Sequence, residues 1–429
     1  MAAEFALIDG KAFDLRVRIE VIPDLDAVVA YDNVDDLGRA GGIISEDKRR
    51  NDDEYREEYV VIDHGNSCSG NGNDAKRPKP VRAFFTMDIF FDLPGDARFS
   101  LCHTDILYHT VRMKLRGMEF GRVIGAQGTF GFFGDRPLAY PIFRFLYKNS
   151  LADVVLATGT VTVKPIKGNM SFAKDGYTRK SLQRLPVSVW FGAGMVLSAL
   201  GRSNPGLPFL LSRDRWQKMT RPFFISVAAA GESREARLLE WQKMAELFKA
   251  ALPKFQTSVG LQIEFACPAD GDGQELLIGE IKETLGILSV LGIPLVPVLS
   301  ILIAPATAAE IARDPACDAV LIAGSIAWED FPEPARKVFF RANASPYAHL
   351  GGGEVSGKYS APLIAEWIRQ ARKLDMPKPL IADGGTLAPK DVAPLLQAGA
   401  SAIVLGPVFS LRPWNVSRIL RQAKKLFPR

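Results

Sequence analysis

The chain has 429 residues, of which 47% are hydrophobic and 24% are charged, as in an ordinary soluble globular protein. Its net charge of +5 is small for this length and is not gathered into a basic stripe, which argues against a nucleic-acid partner. The cysteines are scattered and form no CxxC pair, so we expect a cytoplasmic location, no iron–sulfur centre and no metal site. The start has no signal-peptide pattern, and the longest apolar runs contain Pro and Gly, so no membrane span is expected.

Residues 1–115 have an irregular texture and are interpreted as an N-terminal extension that contains β-structure. Two β-type segments, LRVRIEVI and RAFFTMDIFF, flank the charge run SEDKRRNDDEYREEY and the Gly-, Asn- and Pro-rich stretch HGNSCSGNGNDAKRPKP. The charge run is typical of a solvated face, and the second stretch is typical of a linker. We expect the extension to cover the active-site mouth of the following domain or to form an oligomer contact, such as that of a homodimer.

Residues 116–429 contain eight short apolar runs, separated by amphipathic stretches. The runs are RVIGAQG, DVVLATG, FFISVAA, VGLQIEFAC, PLVPVLSI, AVLIAGS, PLIADGG and AIVLGPV. Runs that are apolar throughout suit parallel strands buried on both faces, and stretches such as SREARLLEWQKMAELFKAAL have helical spacing. Eight β/α units over about 300 residues predict an α/β fold of the (β/α)8 TIM-barrel type. A doubly wound sheet is the alternative.

Two long insertions interrupt this pattern, after the second and the sixth predicted strand. Both follow the carboxyl ends of strands, which is the face where TIM barrels keep their active sites. Loops of this length are usually functional or disordered. We therefore expect both insertions to contribute to the site.

Glycine-bearing turns follow the last two predicted strands, at Gly384, Gly385, Gly406 and Pro407. In TIM barrels the loops after strands seven and eight often bind a phosphate through backbone N–H groups, and a Cβ atom would obstruct that contact. The segment HLGGGEVSGKYS, with Ser356 and Gly357, is a third candidate source of such amides. The competing interpretation is that these glycines only turn the chain.

These segments together resemble the dihydroorotate dehydrogenase family of FMN-dependent TIM barrels. GTVTVKPIKGN is similar to the family's segment after strand two, ALGRSNPG to its GLxNxG loop, and LQIEFACPADG to its NxSCPN strand end. GGGEVSGKYSAPL and IADGGTLAPKDVAPLLQAGASAIVLGPVF are similar to its closing phosphate-binding units. The resemblance implies FMN as the cofactor, with its phosphate held by Gly357, Gly384, Gly385, Gly406 and Pro407.

The resemblance also implies a proton-abstracting residue in the strand-four loop, and Cys267 matches that position. A thiolate can remove a C–H proton beside a carbonyl if its pKa is lowered. The competing interpretation is a small buried hydrophobic residue. Glu264, three residues earlier, is a second catalytic candidate that binds an amine or acts as a base, unless it only forms an ion pair.

Several positions depart from the family pattern. Ser198 and Glu264 stand where the family has asparagines that bind orotate, so dihydroorotate is not the expected substrate. The family's strand-five lysine is missing, and Lys164 is one of the loop lysines that could supply its charge instead of being a plain surface residue. His349, beside the glycine loop, is a candidate acid or an incidental loop histidine.

The sequence therefore predicts an FMN-dependent oxidoreductase of the dihydroorotate dehydrogenase-like class. We expect it to act on another small-molecule substrate, in a biosynthetic role, by proton abstraction and hydride transfer to the flavin. Two alternatives remain open: a non-redox barrel such as an isomerase or lyase, and a catalytically silent scaffold that binds flavin or phosphate.

Overall fold

A computed structural model describes residues 112–134, 153–178, 180, 185–265 and 271–427, and, before residue 112, five strands. The chain divides into two compact units, Met1–Tyr108 and His109–Arg429.

The strands of the first unit pair in two antiparallel groups. The third strand pairs with the fourth, which pairs with the fifth, and the first two form a separate hairpin. Their bounds are β1 Ala6–Ile8, β2 Lys11–Phe13, β3 Arg16–Val21, β4 Phe85–Phe90 and β5 Phe99–Cys102. The two segments that the sequence predicted as β-type are β3 and β4.

The second unit contains the strands of the barrel and of two smaller sheets. Their bounds are β6 Arg112–Leu115, β7 Met118–Gly121, β8 Val123–Gly125, β9 Val187–Trp190, β10 Met195–Ser198, β11 Phe223–Ala228, β12 Val259–Glu264, β13 Leu295–Ser300, β14 Val320–Ala323, β15 Ile326–Ala327, β16 Glu354–Gly357, β17 Leu380–Asp383 and β18 Ala402–Leu405.

Seven of these strands form one parallel sheet in the order β11, β12, β13, β14, β17, β18 and β8. Residues 155–157 close it, because Val155 pairs with Ile124 of β8 and Ala157 pairs with Phe224 of β11, both in parallel. The eight strand segments of the barrel, namely these seven strands and residues 155–157, thus follow one another in chain order around a closed ring. This confirms the predicted TIM barrel, and each of the eight apolar runs of the sequence contributes one strand segment of the barrel.

Helices follow most of the barrel strands and surround the sheet. Their bounds are α1 Leu207–Leu211, α2 Arg234–Ala251, α3 Gly271–Ser289, α4 Pro305–Ala312, α5 Glu333–Phe340, α6 Ser360–Lys373, α7 Val392–Gln397, α8 Val408–Leu411 and α9 Val416–Leu426. Ser233 caps α2, since its side chain accepts a hydrogen bond from the Ala236 amide. Across the described part of the chain, none of the helices has both the length and the apolar character needed to span a bilayer.

The interior of the barrel is a packed apolar core at its N-terminal end. Ile124, Phe224, Val296, Leu321 and Ile381 belong to one buried cluster inside the ring of strands. The alternate residues of the same strands pack outward against the helices. In the described barrel strands, the polar side chains on the inward face lie toward the carboxyl ends, and this places the polar site there.

The hairpin of β6 and β7 closes the N-terminal end of the barrel. Phe120 of β7 stacks on Phe224, with ring centroids 4.5 Å apart. Arg116, in the turn of the hairpin, donates from Nε to both carboxylate oxygens of Asp318 at 3.2 and 3.1 Å. The hairpin therefore seals the end of the barrel opposite to the strand carboxyl ends.

The two long insertions meet in a second sheet, in the order β15, β16, β10 and β9. We call these four antiparallel strands the cap sheet. β10, from the first insertion, pairs with β16, from the second. Trp328, Phe331 and Phe340 form the core of a separate apolar cluster beside it. The insertions are therefore ordered by pairing with each other, which explains why neither insertion alone predicted a sheet.

Candidate functional site

Glu264, the last residue of β12, faces the inside of the barrel mouth. Its Oε1 accepts hydrogen bonds from the Thr160 hydroxyl at 2.6 Å and from the Ser226 hydroxyl at 3.0 Å. Gln262, two residues earlier, lies on the same inward face and accepts from Gln127 Nε2 at 3.0 Å. Alternation along β12 therefore points Glu264 toward the barrel centre, one of the two directions that the sequence left open.

Asp383, at the end of β17, is a second inward carboxylate and has no hydrogen-bond donor among the described residues. Burial, and after it the negative charges of Glu264 and Glu354, together raise the pKa of Asp383 to about 7. The side chain keeps partial access to solvent although protein surrounds it, as expected of a group at the bottom of a cleft. Asp383 is therefore a carboxyl group that is readily protonated near neutral pH.

Glu354, the first residue of β16, brings a third carboxylate from the cap sheet. Burial raises the pKa of Glu354, and the charge of Glu264 adds to this, while Arg202 and the Ser325 side chain act in the opposite direction. Protein encloses Glu354 on most sides, yet its side chain is exposed. A side chain that lines an open cleft is both surrounded by protein and accessible to solvent, as Glu354 is. The cap sheet and the barrel mouth thus border one acidic cleft.

Ser198 and Arg202 join this cleft from the first insertion. Ser198 lies directly opposite Glu354 in the pairing of β10 with β16, so their side chains project from the same face. Arg202 Nε lies 3.9 Å from Glu264 Oε2, which makes an ion pair but not a hydrogen bond. Two of the predicted site residues, Ser198 and Glu264, therefore belong to the same cleft.

The turn after β17 presents backbone donors without acceptors. The amides of Gly384 and Gly385 donate to no group within the described part of the chain. A Cβ on Gly385, where φ is +71°, would come within 2.5 Å of the Ala361 nitrogen in the first turn of α6. The turn therefore packs against the start of α6, which has no side-chain cap and whose dipole is positive at that end.

The other predicted phosphate-binding residues flank this turn. The amide of Gly406, directly after β18, also has no acceptor among the described residues, and Pro407 is the N-cap residue of the short helix α8. Ser356 and Gly357 end β16, just before α6. A Cβ on Gly357 would overlap the carbonyl oxygen of Gly194, in the turn between β9 and β10. Glycine at 357 and 385 is thus already required by close backbone packing.

The remaining predicted residues are not placed together with the carboxylates. Lys164 and His349 are both exposed, and no contact in the described residues joins either of them to Glu264, Asp383 or Glu354. Cys267 lies in residues 266–270, outside the described residues. Its predicted role as a base therefore stays a prediction.

Asp383 and Glu354 are the site residues that sequence reasoning missed. An acidic residue directly before a Gly-Gly turn, at the end of an apolar run, was a usable signal for Asp383. Glu354 gave no such signal, because its position depends on the pairing of two insertions that are more than 150 residues apart.

No protein-family model matches this sequence, and no curated protein matches it either. Among solved structures, the crystal structure of DHODH in complex with ferulenol from Eimeria tenella is similar to this chain. The two are 17% identical, the match covers 74% of this chain and 86% of that one, and the TM-score is 0.49. At this level of similarity, neither the ligand nor the activity of that protein is transferred to this chain.

Proposed function

We propose that the barrel mouth binds FMN and that the protein is an FMN-dependent oxidoreductase acting on a small substrate other than dihydroorotate. The observation that carries this proposal is the group of unpartnered amides at Gly384, Gly385 and Gly406 beside the uncapped start of α6. Buried amides without acceptors are rare in folded proteins, and a phosphate would satisfy several at once.

The residues present fit a phosphate group in both geometry and charge. Gly384 and Gly385 would donate from the end of β17, and Gly406 from the end of β18. Lys358 is exposed and directly follows Gly357, whose carbonyl oxygen lies close to Gly385, so its positive charge starts from the same part of the chain. Ser356 and Gly357, at the end of β16, would border the phosphate on the side of the cap sheet. Bound FMN would supply an acceptor for a hydride from the substrate.

Glu264 is the best placed base among the described residues. Two hydroxyl donors hold its Oε1, and Oε2 faces Arg202 at a distance too long for a hydrogen bond. Glu264 Oε2 can therefore accept a proton from a carbon beside a carbonyl group of the substrate. Cys267 remains the candidate that the family resemblance implies, and the two residues are alternatives for the same step.

The acidic cleft supports a substrate other than dihydroorotate. Asparagine side chains would offer a donor and an acceptor together, whereas Glu264, Glu354 and ionised Asp383 offer acceptors only. Ser198 and Arg202 supply the donors of this cleft instead, so its donors and acceptors are arranged differently from those of asparagines, and we expect a pyrimidine edge that pairs with asparagines to be rejected.

The decisive experiment is the absorption spectrum of the natively purified chain, with mass spectrometry of the ligand that denaturation releases. We expect flavin bands in the visible region and FMN as the released species. Lys358→Gln should weaken FMN binding by about three- to tenfold, because it removes a charge near the phosphate donors. Lys373→Gln, at the opposite end of α6, is the matched control and should leave the affinity unchanged.

A colourless protein that also fails to take up added FMN would refute the proposal. In that case the barrel would belong with the non-redox or catalytically silent alternatives.

A further inference from the structure

A cavity of about 110 Å³ lies beside Glu264, between the end of β12 and helices α2 and α3. Trp241 and Arg237 of α2 line it, together with Glu280 of α3 and Arg202. A cavity of about 150 Å³ holds a benzene molecule, so this one has room for a ligand of about five heavy atoms.

Three of the four carboxylate oxygens of this cavity already accept hydrogen bonds. Each carboxylate oxygen of Glu280 accepts from Arg237 at 2.6 Å. Glu264 Oε1 accepts from two hydroxyl groups, and its Oε2 faces Arg202. A ligand that offered only donors would find one oxygen without a hydrogen-bond donor among the described residues, Glu264 Oε2, and this oxygen already faces the positive charge of Arg202.

The donors of the cavity, by contrast, are in surplus. The indole N–H of Trp241 is buried and has no acceptor, and the whole residue is only 1% exposed. The guanidinium group of Arg202 makes no hydrogen bond within the described residues, since 3.9 Å to Glu264 is too long. A buried donor without a partner lowers the stability of the fold, so an acceptor supplied by a ligand would be favourable.

The charge around the cavity distinguishes between kinds of acceptor. Arg202 and Arg237 are balanced by Glu264 and Glu280, and Glu354 adds a further negative charge close to Arg202. An anion would meet this excess of negative charge, while an uncharged oxygen would not. We propose that this cavity is a binding site for the carbonyl or amide oxygen of a small uncharged molecule, held by the Trp241 indole N–H and the Arg202 guanidinium.

This site does not depend on flavin, because none of its residues belongs to the turns after β17 and β18. It is adjacent to Glu264, so an occupant would lie beside the proposed base. The result of a binding test at Trp241 is therefore independent of whether FMN binds at Gly384 and Gly385.

The test uses the full chain labelled with 15N at its six tryptophans, whose indole N–H signals are followed by NMR. Trp241→Phe assigns the Trp241 signal by its disappearance. Acetamide, acetate and ethylammonium are then added in parallel titrations at equal concentrations. Acetamide should move the Trp241 signal in a saturable way, acetate should move it less, and ethylammonium should not move it.

Two controls show whether the effect is specific. Arg202→Gln should weaken acetamide binding by about three- to tenfold, because a second donor is lost. The indole N–H of Trp328 is also buried without an acceptor, but this residue belongs to the aromatic cluster beside the cap sheet. Its signal should stay in place during the titration.

Three results would overturn the proposal. A Trp241 signal that no probe moves would show that the cavity does not bind an acceptor. A larger response to acetate than to acetamide would contradict the assignment to an uncharged ligand. Equal movement of the Trp328 signal would show that the response is non-specific.

Discussion

At the scale of single residues, Asp383 is the most unusual feature of the barrel mouth. It combines enclosure by protein, two carboxylate neighbours and no hydrogen-bond donor among the described residues. Each of these disfavours the ionised form, and together they raise the pKa of Asp383 to about 7. An aspartate in the unfolded chain has a pKa of about 4.

This difference makes the stability of the fold depend on pH in a defined direction. Below about pH 4 the carboxyl group is protonated in both states, and it contributes no penalty. Between about pH 4 and pH 7 the unfolded state loses its proton first, so the free energy of unfolding decreases as pH rises. We expect Asp383→Asn to remove this decrease and to stabilise the fold at pH 8 by an amount on the order of 3 kcal/mol.

Urea unfolding of Asp383→Asn and of the unchanged chain, at pH 5 and pH 8, measures the effect. The gain at pH 5 should be clearly smaller than the gain at pH 8. The matched control is Asp330→Asn, because Asp330 is exposed and lies outside the carboxylate group. Equal stabilisation by Asp383→Asn at both pH values would show that charge at Asp383 is not the cause.

Single site residues were predicted from the sequence only where local context determined them. Glu264 ends an apolar run, and period-two alternation allows it to face the barrel centre, where it lies. Ser198 was chosen by its match to a family motif, and it does border the acidic cleft. Lys164 was chosen because it lies in a candidate active-site loop, and His349 because it lies beside the glycine loop. Neither position in the sequence determines where an exposed side chain points.

At the scale of elements, one partly buried ion pair holds the hairpin of β6 and β7 to the barrel. Asp318 binds Arg116 through both carboxylate oxygens and also accepts the Leu295 amide at 2.9 Å. Its side chain is only 11% exposed. Asp318→Ala leaves both donors without an acceptor, so we expect a loss of about 2 to 3 kcal/mol in the free energy of unfolding, measured in urea.

The comparison for this prediction is an ion pair that lies in solvent. Lys243 and Glu246 are 2.8 Å apart on the surface of α2, and both are more than half exposed. Glu246→Ala should change stability by about 0.5 kcal/mol or less. A similar loss in both variants would mean that the hairpin contact contributes no more than a surface pair.

Elements were predicted well where their signal is local. The eight strand segments of the barrel are short apolar runs. Such a run can be recognised in the sequence without knowing which strand it pairs with. β9, β10, β15 and β16 were not predicted, because each is short and its pairing joins segments that are distant in the chain. The cap sheet therefore could not be derived from periodicity, although the position of both insertions on the site face could.

At the scale of the whole molecule, the chain divides into two units after Tyr108, and this boundary decides where the N-terminal extension should be removed to test its role. The sequence texture changes near residue 115, but a chain shortened there would lose β6. That strand supplies Met113 and Leu115, which are 4% and 2% exposed in the core of the barrel. A cut at residue 109 keeps the hairpin intact and removes only the first unit.

We expect residues 109–429 to unfold cooperatively and to retain FMN, because every residue that the proposed site uses lies in the second unit. The matched control begins at residue 116 and lacks β6. It should lose several kcal/mol of stability, since each large buried side chain contributes about 2 to 5 kcal/mol. Circular dichroism on heating and the flavin spectrum measure both outcomes. If residues 109–429 fold but release the flavin, the first unit supplies part of the binding site. If both shortened chains fold equally well, the hairpin does not seal the barrel.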